Sequence, residues 1–252
     1  MKEPLTVSIE KLSEEPFASV LCYPKPGRAE VRRRLKELLK LGVTALEFVG
    51  EKEACNLRVL GKGCVGIVTL AHGTSEKVAL KIRRVDADRD RMQCEAALLR
   101  EANSVNVGPK LLGVSRNFLL MQYVDGFLLP AWLEKTSGKR RMRRVLRGVL
   151  DQCWRLDEIG LDHGELSHAP KHVIISKEDE PFIVDFESAS LNRRPSNVTS
   201  ICQFLFVGSE VAKKVAKRLG EMDRKTVVVA LRRYKNARTR ENFENVLAAC
   251  GL

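Results

Sequence analysis

Apolar residues recur at helical spacing over residues 28–41, where Val31, Leu35 and Leu38 form one stripe and Arg32, Arg33, Lys36 and Lys40 face away from it. Gly42 follows as a helix stop. The pattern then shortens to strand-like runs at Ala45–Val49, Leu57–Leu60, Val65–Leu70 and Lys77–Ile82, the last two joined by the turn residues His72-Gly73-Thr74-Ser75 in a hairpin. A helix capped by Asp86 or Asp88 is expected to reach about Ala102, and two strands follow between Pro109 and Tyr123, broken at Gly113 and Asn117. Gly126 marks the change from a β-rich first half to a helical second half. The strongest amphipathic pattern, Lys139 to about Ile159, buries Met142, Leu146, Val149, Cys153 and Leu156 and predicts a single helix between Gly126 and His163. Strands at Val173–Ile175 and Phe182–Phe186 precede helices at Val198–Phe206, Ser209–Leu219, Asp223–Lys235 and Arg240–Ala249. The expectation is an α+β protein: an antiparallel-sheet unit over residues 1–123, extended by the helix at 28–41, then a reduced helical unit over 124–252.

Four constellations carry chemistry. Gly61-Lys62-Gly63-Cys64-Val65-Gly66-Ile67-Val68 fits G-x-G-x-x-G-x-V, glycines that let a backbone approach phosphates closely. A dinucleotide-binding version must open a helix, whereas these residues run into a strand. In Val78-Ala79-Leu80-Lys81 the alternation of a strand puts Ala79 and Lys81 on one face and Val78, Leu80 and Ile82 on the other. A small residue beside a cation leaves room for a base and a charge for its phosphates. Glu95 falls on the stripe Met92, Glu95, Leu99, Ala102, and a carboxylate in an apolar stripe needs a counter-charge, for which Lys81 is the economical candidate. Finally, the loop Asp162-His163-Gly164-Glu165-Leu166-Ser167 precedes by about twenty residues an apolar run ending in Asp185-Phe186-Glu187. An acid that orients an acceptor hydroxyl, followed by an acid that binds the metal on ATP, is the order phosphoryl transfer requires.

Taken in order, the glycine loop, strand lysine, helix glutamate, H-G-acid-L loop and D-F-x motif resemble the protein-kinase superfamily over about residues 57–190. Within it the chain looks like the compact atypical branch of the RIO kinases, the KEOPS-complex kinase and related archaeal serine/threonine kinases. Ser167 stands where ordinary kinases place a lysine, and only about ten residues separate Glu187 from the next helix, too few for a long activation segment. The resemblance implies a two-lobed fold with ATP held by Gly61, Lys62, Gly63, Gly66, Val68, Ala79, Lys81 and Glu95, and by the hinge residues Met121, Gln122 and Val124. It implies Lys81, Glu165 and Asp185 as catalytic residues, Asp185, Glu187 and His172 as the metal set for Mg²⁺ or Mn²⁺, and a protein serine or threonine as acceptor. The chain departs from the superfamily pattern at Glu165, in place of an aspartate, and at His172, near the usual metal-binding asparagine. An extended stretch from Asp185 would turn Glu187 the same way and let it supply the missing oxygen ligand. These departures keep open a nucleotide-binding pseudokinase or scaffold, or an ATPase associated with a ribonucleoprotein. The run Val184-Asp185-Phe186-Glu187 also resembles small-molecule phosphotransferases, which carry a large helical insertion before the catalytic loop.

Composition changes the picture little. Of 252 residues, 44% are hydrophobic and 30% charged, as in ordinary globular proteins. No apolar run reaches the roughly 18–20 residues that span a bilayer, and the first residues carry no secretory pattern, so a cytoplasmic protein without membrane contact is expected. The seven cysteines are scattered singly, without the close pairs of zinc or redox motifs. The net charge of +12 favours acidic partners, and its clusters at 139–147 and 232–240 are candidate contacts for RNA or a ribonucleoprotein.

Overall fold

The computed structural model describes residues 4–74, 76–88 and 90–252; Ser75 of the expected hairpin turn lies outside the described residues. The chain divides into two compact units, one running to Arg100 and taking in Lys110–Tyr123, the other made of Glu101–Pro109 and Val124–Leu252.

The first unit contains β1 (Leu5–Ser8), α1 (Phe17–Leu21), α2 (Arg28–Lys40), β2 (Ala45–Phe48), β3 (Lys52–Ala54), β4 (Leu57–Val59), β5 (Gly61–Lys62), β6 (Gly66–His72), β7 (Lys77–Arg83), most of α3 (Arg91–Ser104), β8 (Leu111–Val114) and β9 (Phe118–Gln122). Its main sheet is antiparallel in the order β1-β2-β6-β7-β9-β8, with β5 paired to β6. The expected alternation on β7 holds: Val78, Leu80 and Ile82 join one core with Leu21, Leu38, Leu46 and Ile67. Val65, Met92, Ala96 and Leu119 make a separate cluster. The helix stripe is buried as expected, Met92, Glu95, Leu99 and Ala102 all being 4% exposed or less.

The structure corrects two readings here. The helix begins at Arg91 and not at Asp86 or Asp88; the Asp86 carboxylate instead accepts from Arg84 Nε and Nη2 at 2.9 and 2.7 Å. β1 and α1 were not foreseen. β1 extends the sheet beyond β2, while α1 and α2 pack into the core formed on it; α2 buries Arg34 fully, on a helix read as basic only on its outer face.

The second unit contains β10 (Gly126–Leu128), α4 (Leu129–Lys135), α5 (Lys139–Glu158), β11 (Val173–Ser176), β12 (Pro181–Ile183), α6 (Asn197–Cys202), α7 (Glu210–Leu219), α8 (Arg224–Asn236) and α9 (Arg240–Ala249). β10, β11 and β12 form a small antiparallel sheet, and a π-helical turn, Gln203–Val207, continues α6. Ser209, Asp223 and Thr239 cap α7, α8 and α9 with their side chains, which fixes where those helices start. Two helices, not one, lie between Gly126 and His163, because α4 tolerates Pro130 in its first turn, where no intrahelical N–H is required. Asp157 near the end of α5 ties the helices together. Its carboxylate accepts from the Asn197 backbone N–H (2.9 Å) and Nδ2 (2.8 Å), from the Val198 N–H (3.3 Å) and from the Tyr234 hydroxyl (2.8 Å). The sheet unit and the helical unit together give the α+β class expected of a kinase-like protein.

Candidate active site

In the first unit the glycine motif forms a hairpin tip. Gly61 pairs with Val68 and Lys62 with Ile67, and the Gly63 N–H donates to the Gly66 carbonyl at 2.8 Å. A Cβ at Gly66 would stand 2.8 Å from the Ile82 carbonyl oxygen, so only glycine lets β6 lie this close to β7. Cys64 is exposed at the tip. Lys62 turns its ammonium over the Tyr23 ring at 5.0 Å and toward the Glu53 carbonyl at 3.4 Å.

β7 registers Lys81 against Val68 on one side and Leu119 on the other, and Ala79 against Met121. Lys81 Nζ lies 2.9 and 2.8 Å from the two carboxylate oxygens of Glu95, both side chains nearly buried. The pair anticipated from the stripe is therefore formed. A buried lysine or glutamate alone is costly, and each supplies the other's counter-charge. Met121 and Gln122 end β9, and Gln122 accepts the Lys110 N–H through Oε1 at 3.2 Å.

The second unit supplies the acids. A bridge between Asp162 and Ser190, with N–H···O distances of 2.9 and 2.8 Å, staples the loop that follows α5, and Arg193 holds the Asp162 carboxylate at 3.0 Å. His163 is buried, its backbone N–H donating to Asn197 Oδ1 (2.8 Å) and its Nε2–H to the Val184 carbonyl (3.1 Å). Burial depresses its pKa to about 4, so the ring is neutral near pH 7. Gly164 adopts φ +88°, and a Cβ there would meet the Ser188 carbonyl oxygen at 2.9 Å.

That turn presents Glu165. Ser188 Oγ donates to Glu165 Oε1 at 2.5 Å, while His172 Nε2 stands 2.8 Å from Oε2. The serine hydroxyl, then the histidine, hold the Glu165 carboxyl below its usual pKa, against the opposing effect of desolvation. His172 is 1% exposed, and its Nδ1 lies 4.0 Å from Asp185 Oδ2.

Asp185 departs from the expected extended stretch. It takes φ +70°, ψ +75°, and Phe186–Ser188 is a 3₁₀ turn, so the strand ends at Ile183. Asp185 and Glu187 nevertheless converge, each offering a carboxylate oxygen within 4.8 Å of the other's. The turn, not strand alternation, brings them together. Ser188 escaped the sequence reading, because nothing in its spacing reveals a turn that folds it back onto Glu165.

A glycine hairpin over a buried lysine–glutamate pair in one unit, with a carboxylate-bearing loop in the other, is the division of parts in a kinase-like, ATP-binding protein. The chain belongs to the RIO domain family of atypical kinases, whose family model matches residues 71–199, just over half of its length. An uncharacterized protein of Methanocaldococcus jannaschii is 27% identical over 99 residues, which cover 39% of this chain and 83% of that protein. No described helix is long and apolar enough to cross a membrane.

Proposed function

We propose that the chain is an ATP-dependent serine/threonine protein kinase that transfers the γ-phosphate of Mg-ATP to a protein hydroxyl. The observation that carries this reading is the contact of Glu165 with Ser188: an ionised carboxylate already receives a serine hydroxyl at 2.5 Å, as it would an acceptor's. Lys81, oriented by Glu95, would hold the α- and β-phosphates beneath Gly61–Gly66, and the backbone at Met121, Gln122 and Val124 would receive the adenine. The paired oxygen donors of Asp185 and Glu187 suit Mg²⁺, a hard cation that prefers oxygen ligands. That ion would neutralise charge on the phosphate oxygens. His172 contributes in this scheme by steadying Glu165, whose Oε2 lies 2.8 Å from its Nε2, more than as a ligand. Glu165 takes or orients the acceptor proton as the acceptor oxygen bonds to the γ-phosphorus and the bond to the β-phosphate oxygen breaks. The rest is positioning.

The test is transfer from labelled ATP with Mg²⁺ or Mn²⁺, on the wild type and on Lys81→Ala, Asp185→Asn and Glu165→Gln. Lys81→Ala and Asp185→Asn should abolish transfer. Glu165→Gln should lower it about 10²–10⁴-fold while ATP still binds, the range expected for a general base. ATP binding without turnover in the wild type would make the chain a scaffold, and absence of ATP binding would discard the reading. RNA or ribonucleoprotein contact through 139–147 and 232–240 belongs to the same proposal, as does a cytoplasmic place of action.

A further inference from the structure

In the first unit, α2 and the segments around Arg83 and Asn117 line a partly open cavity of about 410 Å³. Its charged lining is Lys25, Arg33, Arg83 and Arg116 against Glu30 and Glu37. Both carboxylates are already engaged. Glu30 accepts from Arg33 (2.5 Å) and from Arg34 (2.9 Å), while Glu37 accepts from the Asn117 N–H (3.0 Å), its Nδ2 (2.6 Å) and the Ser115 hydroxyl (2.6 Å).

The wall behind them is more cationic still. Arg34 is fully buried and Arg83 is 5% exposed, and both donate to the same acceptor, Asn117 Oδ1. The remaining bonds of Arg83 go to the Arg84 and Ala87 carbonyls at 2.9 and 2.5 Å. Among the described residues no carboxylate lies within ion-pair distance of Arg83. Burial, and then the charge of Arg34, pull its guanidinium below the usual pKa range. Counting Arg34, the cavity and its wall carry an excess of three positive charges. A buried guanidinium with no carboxylate in contact is costly, and an anion in the cavity lowers that cost.

We propose that this cavity is a binding site for a small phosphorylated molecule, recognised through its phosphomonoester by Arg83, Arg116, Lys25 and Arg33. A phosphomonoester carries about −1.5 to −2 charges near pH 7, which matches most of the excess. The planar fork of Arg116 fits phosphate oxygens in pairs, and Arg83 keeps one Nη2–H beyond the bonds above. The volume falls within the roughly 300–1,000 Å³ of small-molecule pockets, so it accommodates a body as well as the anion. None of the lining residues is among those assigned to ATP, so the site stands or falls independently of the kinase reading.

The experiment is isothermal titration of the full chain with glucose 6-phosphate, inorganic phosphate and uncharged glucose, on the wild type and on the double variant Lys25→Gln/Arg116→Gln. Both positions are exposed, so the variant should keep its melting temperature. Glucose 6-phosphate is expected to bind the wild type at least tenfold tighter than inorganic phosphate, glucose should not bind, and the double variant should lose at least tenfold in affinity for glucose 6-phosphate while its ATP affinity stays unchanged. Arg33→Gln, a third exposed position, should weaken binding in the same direction. Equal affinity for glucose 6-phosphate and inorganic phosphate would overturn the ligand class. Binding that the variants leave untouched but that ATP displaces would assign the phosphate to the nucleotide site and overturn the proposal, as would no binding at millimolar concentration.

Discussion

His163 illustrates how much rests on single residues. Its ring is sealed from water, donates to the Val184 carbonyl and packs edge-on against Phe186 at 5.2 Å, so it couples the loop before Glu165 to the turn at Asp185. Its pKa falls from an ordinary value near 6.5 to about 4 in the fold, which favours the neutral form. The stability it contributes is therefore complete above about pH 6.5 and is lost as pH drops toward 4, by about 1.4 kcal/mol for each pH unit within that window. Urea unfolding at pH 7.5, 5.5 and 4.5 should show this slope in the wild type, and His163→Gln should flatten it; equal slopes would refute the assignment. Residues of this kind differ in how legible they are. Glu95 could be paired with Lys81 from sequence because a helix and a strand have fixed periods, and a charge inside an apolar stripe stands out. Ser188 could not, because its contact with Glu165 depends on a left-handed residue at Asp185, and no pattern of apolar positions encodes that. Arg34 was likewise hidden among the exposed basic residues of α2.

Among the elements, α5 organises the second unit. Its apolar face buries Met142, Leu146, Val149, Cys153 and Leu156, while Trp154 stacks on Phe243 of α9 with ring centroids 5.1 Å apart. Asp157 then binds the start of α6 and Tyr234 of α8. Removing its carboxylate strands several buried donors, each worth about 1–3 kcal/mol when unsatisfied. Asp157→Ala is accordingly expected to lower the unfolding free energy by about 3 kcal/mol, with Asp157→Asn milder because one acceptor oxygen remains. A shift of less than about 0.5 kcal/mol in denaturant unfolding would contradict this role. The long helices were legible because length averages out local accidents of sequence: α9 begins and ends where its pattern does. The short elements β1, α1 and α4 were not. Five or seven residues give too few turns for a period to show, and such pieces form because tertiary packing holds them.

At the scale of the whole molecule the fold class was readable, since strand-like runs precede helix-like ones and a kinase-type order of motifs overlies both. The charge of +12 was equally plain, but its availability was not. Within the basic run of α5, Arg141 forms a two-bond pair with Asp179, Arg144 reaches the same carboxylate at 3.2 Å, and Arg147 meets Glu244 at 3.2 Å. Lys139, Arg140 and Arg143 are exposed and make the better contacts for a polyanion. If single-stranded RNA binds there, Arg140→Ala with Arg143→Ala should lower the slope of log affinity against log salt by about 1.4, at about 0.7 per lost phosphate contact. An unchanged slope would move the contact elsewhere.

The exposed thiol at the tip of the glycine hairpin offers a reporter that needs no knowledge of any acceptor. Cys64 sits between Gly63 and Gly66, in the segment proposed to fold over phosphates, whereas Cys94, also exposed, lies on α3 outside it. Alkylation by a maleimide, read by mass spectrometry, would follow occupancy directly. Protection of Cys64 but not Cys94 by ATP would footprint the nucleotide on the protein, and the concentration giving half protection would measure its affinity before a substrate has been found.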